Sequence, residues 1–277
     1  MLGSELFYFF KKKNLIVNGS YFKSKKRNLT KLNLFDVKDI NFKLKKYNPN
    51  VVINCVALTD VNMCEKNYKK SLISNKNSAE NLVKSLKKIN KKIHLIYIST
   101  DQVYNNKKNK SNKEREINLT NNYSKTKYMA ERATKKYKYH TIIRTNFFGK
   151  GKYSKKKSYS DYILKLLKKD KKVLVPNNII FSPISINILV NIIEKMISKK
   201  IFGTFNIGSN ESITKHQFAL KLAKSKKLKI KNIIDFKSIY KKNKRPINTS
   251  MDTSKLKNKI KINIPNIEKQ LKTKLFT

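Results

Sequence analysis

Cysteine, histidine, glycine and acidic residues are all scarce in this chain of 277 residues. Two cysteines, Cys55 and Cys64, cannot make the disulfide framework of a small secreted domain. Cys55 lies in an apolar run and reads as a small core residue in a reducing compartment, so the cytoplasm is the expected location. Three widely spaced histidines, His94, His140 and His216, form no metal-ligand cluster, and no metal is expected. No stretch approaches the roughly 20 apolar residues that a membrane span needs. The short run 6–10 has no basic segment before it, which argues against a signal peptide. Glycine numbers only six, and no G-x-x-G-x-x-G occurs.

Positive charge is abundant: 65 Lys and Arg against 17 Asp and Glu, a formal net charge of +48. Arginine occurs only at Arg27, Arg115, Arg132, Arg144 and Arg245, and the lysines are spread over the whole chain among many Asn and Ile. Dedicated nucleic-acid readers concentrate Arg and stacking aromatics on one face. The uniform excess instead reads as compositional drift in an AT-rich genome. No specific nucleic-acid partner is expected, although nonspecific attraction to polyanions follows from the charge.

Short apolar runs alternate with amphipathic lysine-rich segments, the pattern of βαβ units. Strands are expected at 14–18, 51–57, 94–100, 141–144 and 204–207. Helices are expected at 36–47, 71–89, 124–137, 159–168, 186–198 and 215–223. The run 51–57 is nearly continuous in apolar character, as for a strand buried on both faces. In 71–89, Leu72, Asn75, Ala79, Leu82, Val83 and Leu86 share one stripe. The expected architecture is α/β: a Rossmann-like, doubly wound parallel sheet over residues 1–145. A smaller substrate lobe over 146–277 would be interleaved with returns to the main sheet.

Tyr123 and Lys127 fit Y-x-x-x-K, which on a helix puts a phenol and an ammonium on one face. The cation is expected to bring the phenol down towards the working range for proton transfer. The bare pattern selects nothing, because six of 14 tyrosines have it: Tyr8, Tyr21, Tyr104, Tyr123, Tyr153 and Tyr240. The setting favours Tyr123. An apolar strand ends in Ser99 and Thr100, a long loop follows, the helix opens at Tyr123, and another strand comes next. In open α/β sheets, ligands bind at the carboxyl ends of the strands.

Four segments in this order, Val-Ile-Asn-Cys-Val-Ala-Leu-Thr (52–59), Ser-Thr-Asp-Gln-Val-Tyr (99–104), Tyr-Ser-Lys-Thr-Lys (123–127) and Ile-Arg-Thr (143–145), resemble the extended short-chain dehydrogenase/reductases. The resemblance is greatest to the dTDP-4-dehydrorhamnose reductases. The runs 203–208 and 245–252 resemble that family's substrate lobe. The resemblance implies an NADPH- or NADH-dependent reduction of a 4-keto nucleotide sugar, a homodimer being admissible. By it, Tyr123 gives the proton, Lys127 also holds the nicotinamide ribose, and Thr100 bonds the carbonyl oxygen. Ala57 and Thr59 would line the cofactor and Asn33 and Leu34 the adenine, with Asn33 in place of a common aspartate. Asn75 matches a helix asparagine near the lysine, or is simply a packing residue. Phe147 stands where an aromatic covers the sugar, or is ordinary core. Ser182, Pro183 and Ile184 depart from the usual D-Q-x-G-x-P-T, which leaves the sugar open.

The opening Met1, Leu2 and Gly3 resemble the end of the glycine loop, so the chain is expected to begin inside that loop with the first strand missing. These three residues would touch the pyrophosphate at a helix N-terminus. No carboxylate follows Val17 and Asn18, while Lys23, Lys25, Lys26 and Arg27 do, which favours a 2′-phosphate and hence NADPH. Arg245 offers a planar guanidinium for a diphosphate. Alternatives remain: a noncatalytic regulatory subunit, an inactive truncated copy, or an epimerase. A dehydratase ranks lower, because Gln102 stands where a glutamate is expected.

Overall fold

The computed structural model describes residues 1–23, 28–106, 112–149, 151, 158–239 and 245–273. Its centre is a four-stranded parallel sheet made of β3 (Val51–Asn54), β4 (His94–Ile98), β5 (His140–Thr145) and β10 (Gly203–Ile207), in the order β10-β5-β4-β3. Registers run Val51 to His94, Ile96 to Thr141 and Phe205 to Ile143.

Strand alternation sends successive side chains to opposite faces, and each face has its own helical layer. Ile96 and Ile143 join α1 (Leu2–Lys12), α8 (Ile186–Ser198) and α10 (Ser254–Ile260) in the largest apolar cluster. On the other face, Leu95 packs with Ile40 and Leu44 of α2 (Val37–Tyr47) and Leu82, Val83 and Leu86 of α5 (Ser78–Lys87). Tyr97 and Ile142 meet Ala130 of α6 (Asn122–Lys135) there. Each such fully buried aliphatic side chain contributes about 1.5–3 kcal/mol.

The helix ends follow local chemistry. Asp36 caps α2 through Lys38 N at 2.8 Å, and Asn48 closes it in the left-handed region at φ 38°. Asn121 and Ser124 form a reciprocal capping box at the start of α6. The expected helix at 71–89 is interrupted. A π-helical turn at Leu72–Asn77 separates α4 (Tyr68–Ser71) from α5, and Asn75 is buried within it.

Two expectations are corrected. No strand forms at 14–18; Leu15 and Ile16 are exposed. Among the described residues no strand lies beside 14–18 to complete a ladder, and pairing begins only at β1 (Ser20–Tyr21) with β2 (Thr30–Lys31). Nor is β3 buried on both faces: Val51, Val52 and Ile53 are only half-buried, because β3 is the edge of its sheet. The later part of the chain adds paired short strands. β6 (Phe147–Phe148) pairs with β9 (Ile184–Ser185), β7 (Val173–Pro176) with β12 (Ile233–Phe236), and β8 (Ile180–Phe181) with β11 (Ile213–Thr214). They pack with α7 (Tyr159–Leu167), α9 (Lys215–Ser225) and α11 (Ile267–Lys272) around Phe218.

Candidate active site

The capping box fixes where α6 begins, and thereby where Tyr123 and Lys127 stand. Both are buried, at 7% and 1% exposure. The start of α6 faces the carboxyl end of β4, where Thr100 is buried and caps the short turn Asp101–Val103 through Gln102 N at 3.2 Å. The Thr100 hydroxyl donates to Asp101 Oδ1 at 3.3 Å and acts on the Tyr123 phenol, drawing it down. Lys127 Nζ donates to the Ile98 carbonyl at 2.7 Å and lies 4.1 Å from the centre of the Tyr97 ring. The three expected catalytic side chains are therefore gathered at one strand end.

Their electrostatics correct one expectation. The Tyr123 phenol is pushed up, not down, because burial outweighs the opposing pull of the neighbouring Thr100 hydroxyl, and the nearby carboxyl of Asp101 adds to the rise. Lys127 is brought down to about 7 by the same burial, against the pull of Glu131. A phenol held protonated in this way is suited to giving a proton, and a partly neutral amine does little to ionise it.

Beneath the site lies a buried ion pair. Arg144 of β5 donates through Nε to Glu131 Oε1 at 2.9 Å, and its Nη1 donates to Tyr104 Oη at 2.8 Å. Ser99 Oγ donates to Glu131, and Tyr104 Oη donates to Asn206 Oδ1 at 2.7 Å. Arg144 and Glu131 bolt α6 to β5 and so fix the helix that carries Tyr123 and Lys127. Tyr104 is spent in this network and has no access to a reacting group, which separates it from Tyr123. Tyr153 and Tyr240, the tyrosines of two other pairs, lie outside the described residues, as do Lys25, Lys26 and Arg27.

The residues expected on the cofactor side divide. Ala57 is half-buried and Thr59 exposed on the loop after β3, and Leu58 between them packs against Tyr123, Val61 and Cys64. Asn75 clamps that loop, accepting from Leu58 N at 2.7 Å and donating to Leu58 O at 3.2 Å and Thr126 Oγ1 at 3.0 Å. It is therefore bonded to the loop rather than to Lys127. The first turn of α1 lies against the end of β3. A methyl at Gly3 would stand 3.4 Å from the Cys55 Cβ, and the Met1 amine and Lys127 both act on the Cys55 thiol, which burial raises to about 12. A helix N-terminus, a buried amine and an exposed hydroxyl at the carboxyl edge of the sheet make a donor set that fits a dinucleotide. Asn33 and Leu34 stand apart. Asn33 N donates to Asp39 Oδ2 at 2.7 Å and its side chain accepts from Phe35 N, while Leu34 packs with Ile40 and Leu82.

Beyond Thr100 a small cleft opens, lined by Asp101, Gln102, Asn146, Lys215, Arg245 and Thr249 among others. Asp101 is buried and accepts from Thr249 Oγ1 at 2.7 Å and Asn146 Nδ2 at 2.8 Å, and burial raises its carboxyl. Arg245 lines this cleft, while half-buried Phe147 packs against the main apolar cluster. Ser182 is a joint of the later lobe: its Oγ accepts from Met251 N at 3.2 Å. Its carbonyl is so close to Gly208 that a Cβ there would stand at 2.5 Å, a close approach that requires glycine. Asp101 and Thr249 lay inside segments already singled out in the sequence. Lys215 and Asn146 carried no signal that could have found them.

Among the described residues no helix is long and apolar enough to cross a membrane, and no cluster of His, Cys, Asp and Glu could hold a metal. A family model described as "RmlD substrate binding domain" matches residues 1–276. The fold is similar to that of a dTDP-4-dehydrorhamnose reductase from Clostridium acetobutylicum, with 23% identity, TM-score 0.85, and coverage of 98% of this chain and 93% of that one. A hypothetical dTDP-4-dehydrorhamnose reductase from Sulfolobus tokodaii is 26% identical, with TM-score 0.82 and coverage of 95% and 92%. The Bacillus anthracis dTDP-4-dehydrorhamnose reductase in complex with NADP is 21% identical, with TM-score 0.79 and 90% of each chain covered. A comparison with curated proteins gives no match.

Proposed function

The chain belongs to the RmlD substrate binding domain family, and from that premise we propose that it is a nicotinamide-dependent reductase of a 4-keto nucleotide sugar. The observation that carries the reading is the grouping of Tyr123, Thr100 and Lys127 at the carboxyl end of β4, with the Thr100 side chain beside a phenol that burial keeps protonated. Bound NADPH or NADH supplies the hydride. Tyr123 gives its proton to the carbonyl oxygen as negative charge develops there, and the Thr100 hydroxyl donates to the same oxygen. Lys127 replaces the phenolic proton and holds the nicotinamide ribose.

Met1, Leu2 and Gly3 at the start of α1, with Ala57, Thr59 and Lys127, would hold the dinucleotide, and Asn33 and Leu34 would serve its adenine. Asn75 acts on it indirectly, by fixing Leu58. Phe147 would stand against the sugar and Arg245 would meet its diphosphate. Support for NADPH comes from the lack of a carboxylate after Val17 and from Lys23, which is exposed. The test is turnover of purified protein on a 4-keto nucleotide sugar with each cofactor in turn. Oxidation of NADPH at least as fast as NADH supports the reading. A clear preference for NADH overturns the cofactor choice, and no turnover with either overturns the function.

A further inference from the structure

A threonine hydroxyl has one proton and two lone pairs. In Thr100 one lone pair accepts from Gln102 N at 3.2 Å, and the proton points to Asp101 Oδ1 at 3.3 Å. The reductase reading needs that same proton on the reacting carbonyl oxygen. Two acceptors therefore compete for it, and the state of the Asp101 carboxyl decides between them.

The carboxyl is anchored firmly on one side only. It is 2% exposed, and Oδ2 takes two short hydrogen bonds, from Thr249 Oγ1 at 2.7 Å and Asn146 Nδ2 at 2.8 Å. Oδ1 has Thr100 as its one partner among the described residues, at a distance longer than an ordinary O–H···O bond. With Oδ2 occupied, a proton on the carboxyl resides on Oδ1 and points at Thr100. It then fills the second lone pair of Thr100, and the threonine proton turns outward. With the carboxyl ionised, Thr100 donates inward. The Lys215 ammonium of α9 faces the carboxyl and favours its ionised form; Arg245 lines the same cleft, and the Tyr123 phenol of α6 is close by. Burial outweighs the opposing influences and raises the carboxyl above its ordinary value.

We propose that Asp101 is a positioning residue for Thr100: its protonated carboxyl aims the threonine hydroxyl at the reacting carbonyl oxygen, and its ionised form withdraws it. No proton leaves Asp101 in the reaction. It supplies a hydrogen bond to Thr100, and the sugar oxygen takes its proton from Tyr123. This rests on the reductase reading, which supplies the oxygen that Thr100 serves.

The test is turnover of a 4-keto nucleotide sugar by wild type and Asp101→Asn from about pH 5 to about pH 9. In the variant, Thr249 and Asn146 hold the amide oxygen in the Oδ2 place, so the amide nitrogen donates to Thr100 at every pH. The ratio of wild-type to Asp101→Asn kcat should fall about tenfold as pH rises, the scale of one lost hydrogen bond. The fall should be carried by kcat rather than KM. Taking the ratio cancels the titration of Lys127 and Tyr123, which both proteins share. Thr100→Ser should keep the fall when paired with Thr100→Ser/Asp101→Asn. A constant ratio, or the same fall between Thr100→Ala and Thr100→Ala/Asp101→Asn, overturns the positioning role. A second measurement needs no turnover: the titration of the Asp101 carboxyl carbon, followed by NMR in the full chain and in Thr100→Val. Loss of the hydroxyl removes a donor to the ionised carboxylate, so the midpoint should move up. An unmoved midpoint overturns the proposal, also where Asp101→Asn does not fold. A moved midpoint in a protein that reduces no 4-keto sugar overturns the reductase reading and leaves the coupling of Asp101 to Thr100 in place. Turnover with a constant ratio overturns the positioning role alone.

Discussion

At the scale of single residues, burial decides the chemistry more than charge does. Lys127 sits beneath its ordinary value because it is enclosed. A lysine with a lowered folded pKa binds fewer protons in the native than in the unfolded state, so stability falls as pH falls from about 10.5 to about 7. Lys127→Met should flatten the dependence of unfolding free energy on pH across that window, as read by urea titration; an unchanged slope would show that the amine is solvated. Asn75 acts through its hydrogen bonds to Leu58. Asn75→Ala should cost about 1–3 kcal/mol by leaving that backbone unpaired, and should raise the cofactor Kd. Loss of stability with unaltered cofactor affinity would reduce Asn75 to a packing role. Tyr123 was legible in the sequence through its setting, since six tyrosines shared its spacing. Lys215 was not, because one lysine among so many has no distinguishing neighbours until the chain folds.

Elements set the frame in which those residues meet. The helices at 186–198 and 215–223, and the strands at 94–100 and 141–144, were readable because their apolar periodicity is local. The failures at 14–18 and 51–57 share one cause: whether an apolar run becomes a buried strand depends on a neighbouring strand, and periodicity does not say which neighbours are present. The π turn at Leu72–Asn77 and the two-residue strands of the later lobe leave no periodic trace. Between α6 and β5, Glu131 and Arg144 are 0% and 1% exposed. Removing one member of such a pair strands a buried charge at a cost of about 3–5 kcal/mol. Glu131→Ala should therefore lower the unfolding free energy by about that amount, while replacing both partners with leucine should cost less. Equal losses in the two variants would mean that the pair itself is net stabilising.

Over the whole molecule, the net charge of +48 dominates the response to salt. Repulsion among surface lysines is screened within about 8 Å at physiological ionic strength, so Tm should rise as sodium chloride is added from low concentration. A falling Tm would mean that surface ion pairs outweigh the repulsion. The same charge attracts any polyanion, so binding of a nucleotide is weak support for function and turnover is the stronger reading. The most direct measurement is accordingly the oxidation of reduced nicotinamide by a 4-keto nucleotide sugar, compared between wild type, Tyr123→Phe and Tyr104→Phe. Tyr123→Phe should lose about 10²–10⁴-fold in kcat with cofactor affinity kept, because a positioned general acid is removed. Tyr104→Phe should lose stability, since Arg144 and Asn206 lose a partner, yet retain the chemical step. Near wild-type kcat in Tyr123→Phe, or an equal loss of the chemical step in folded Tyr104→Phe, would contradict the assignment.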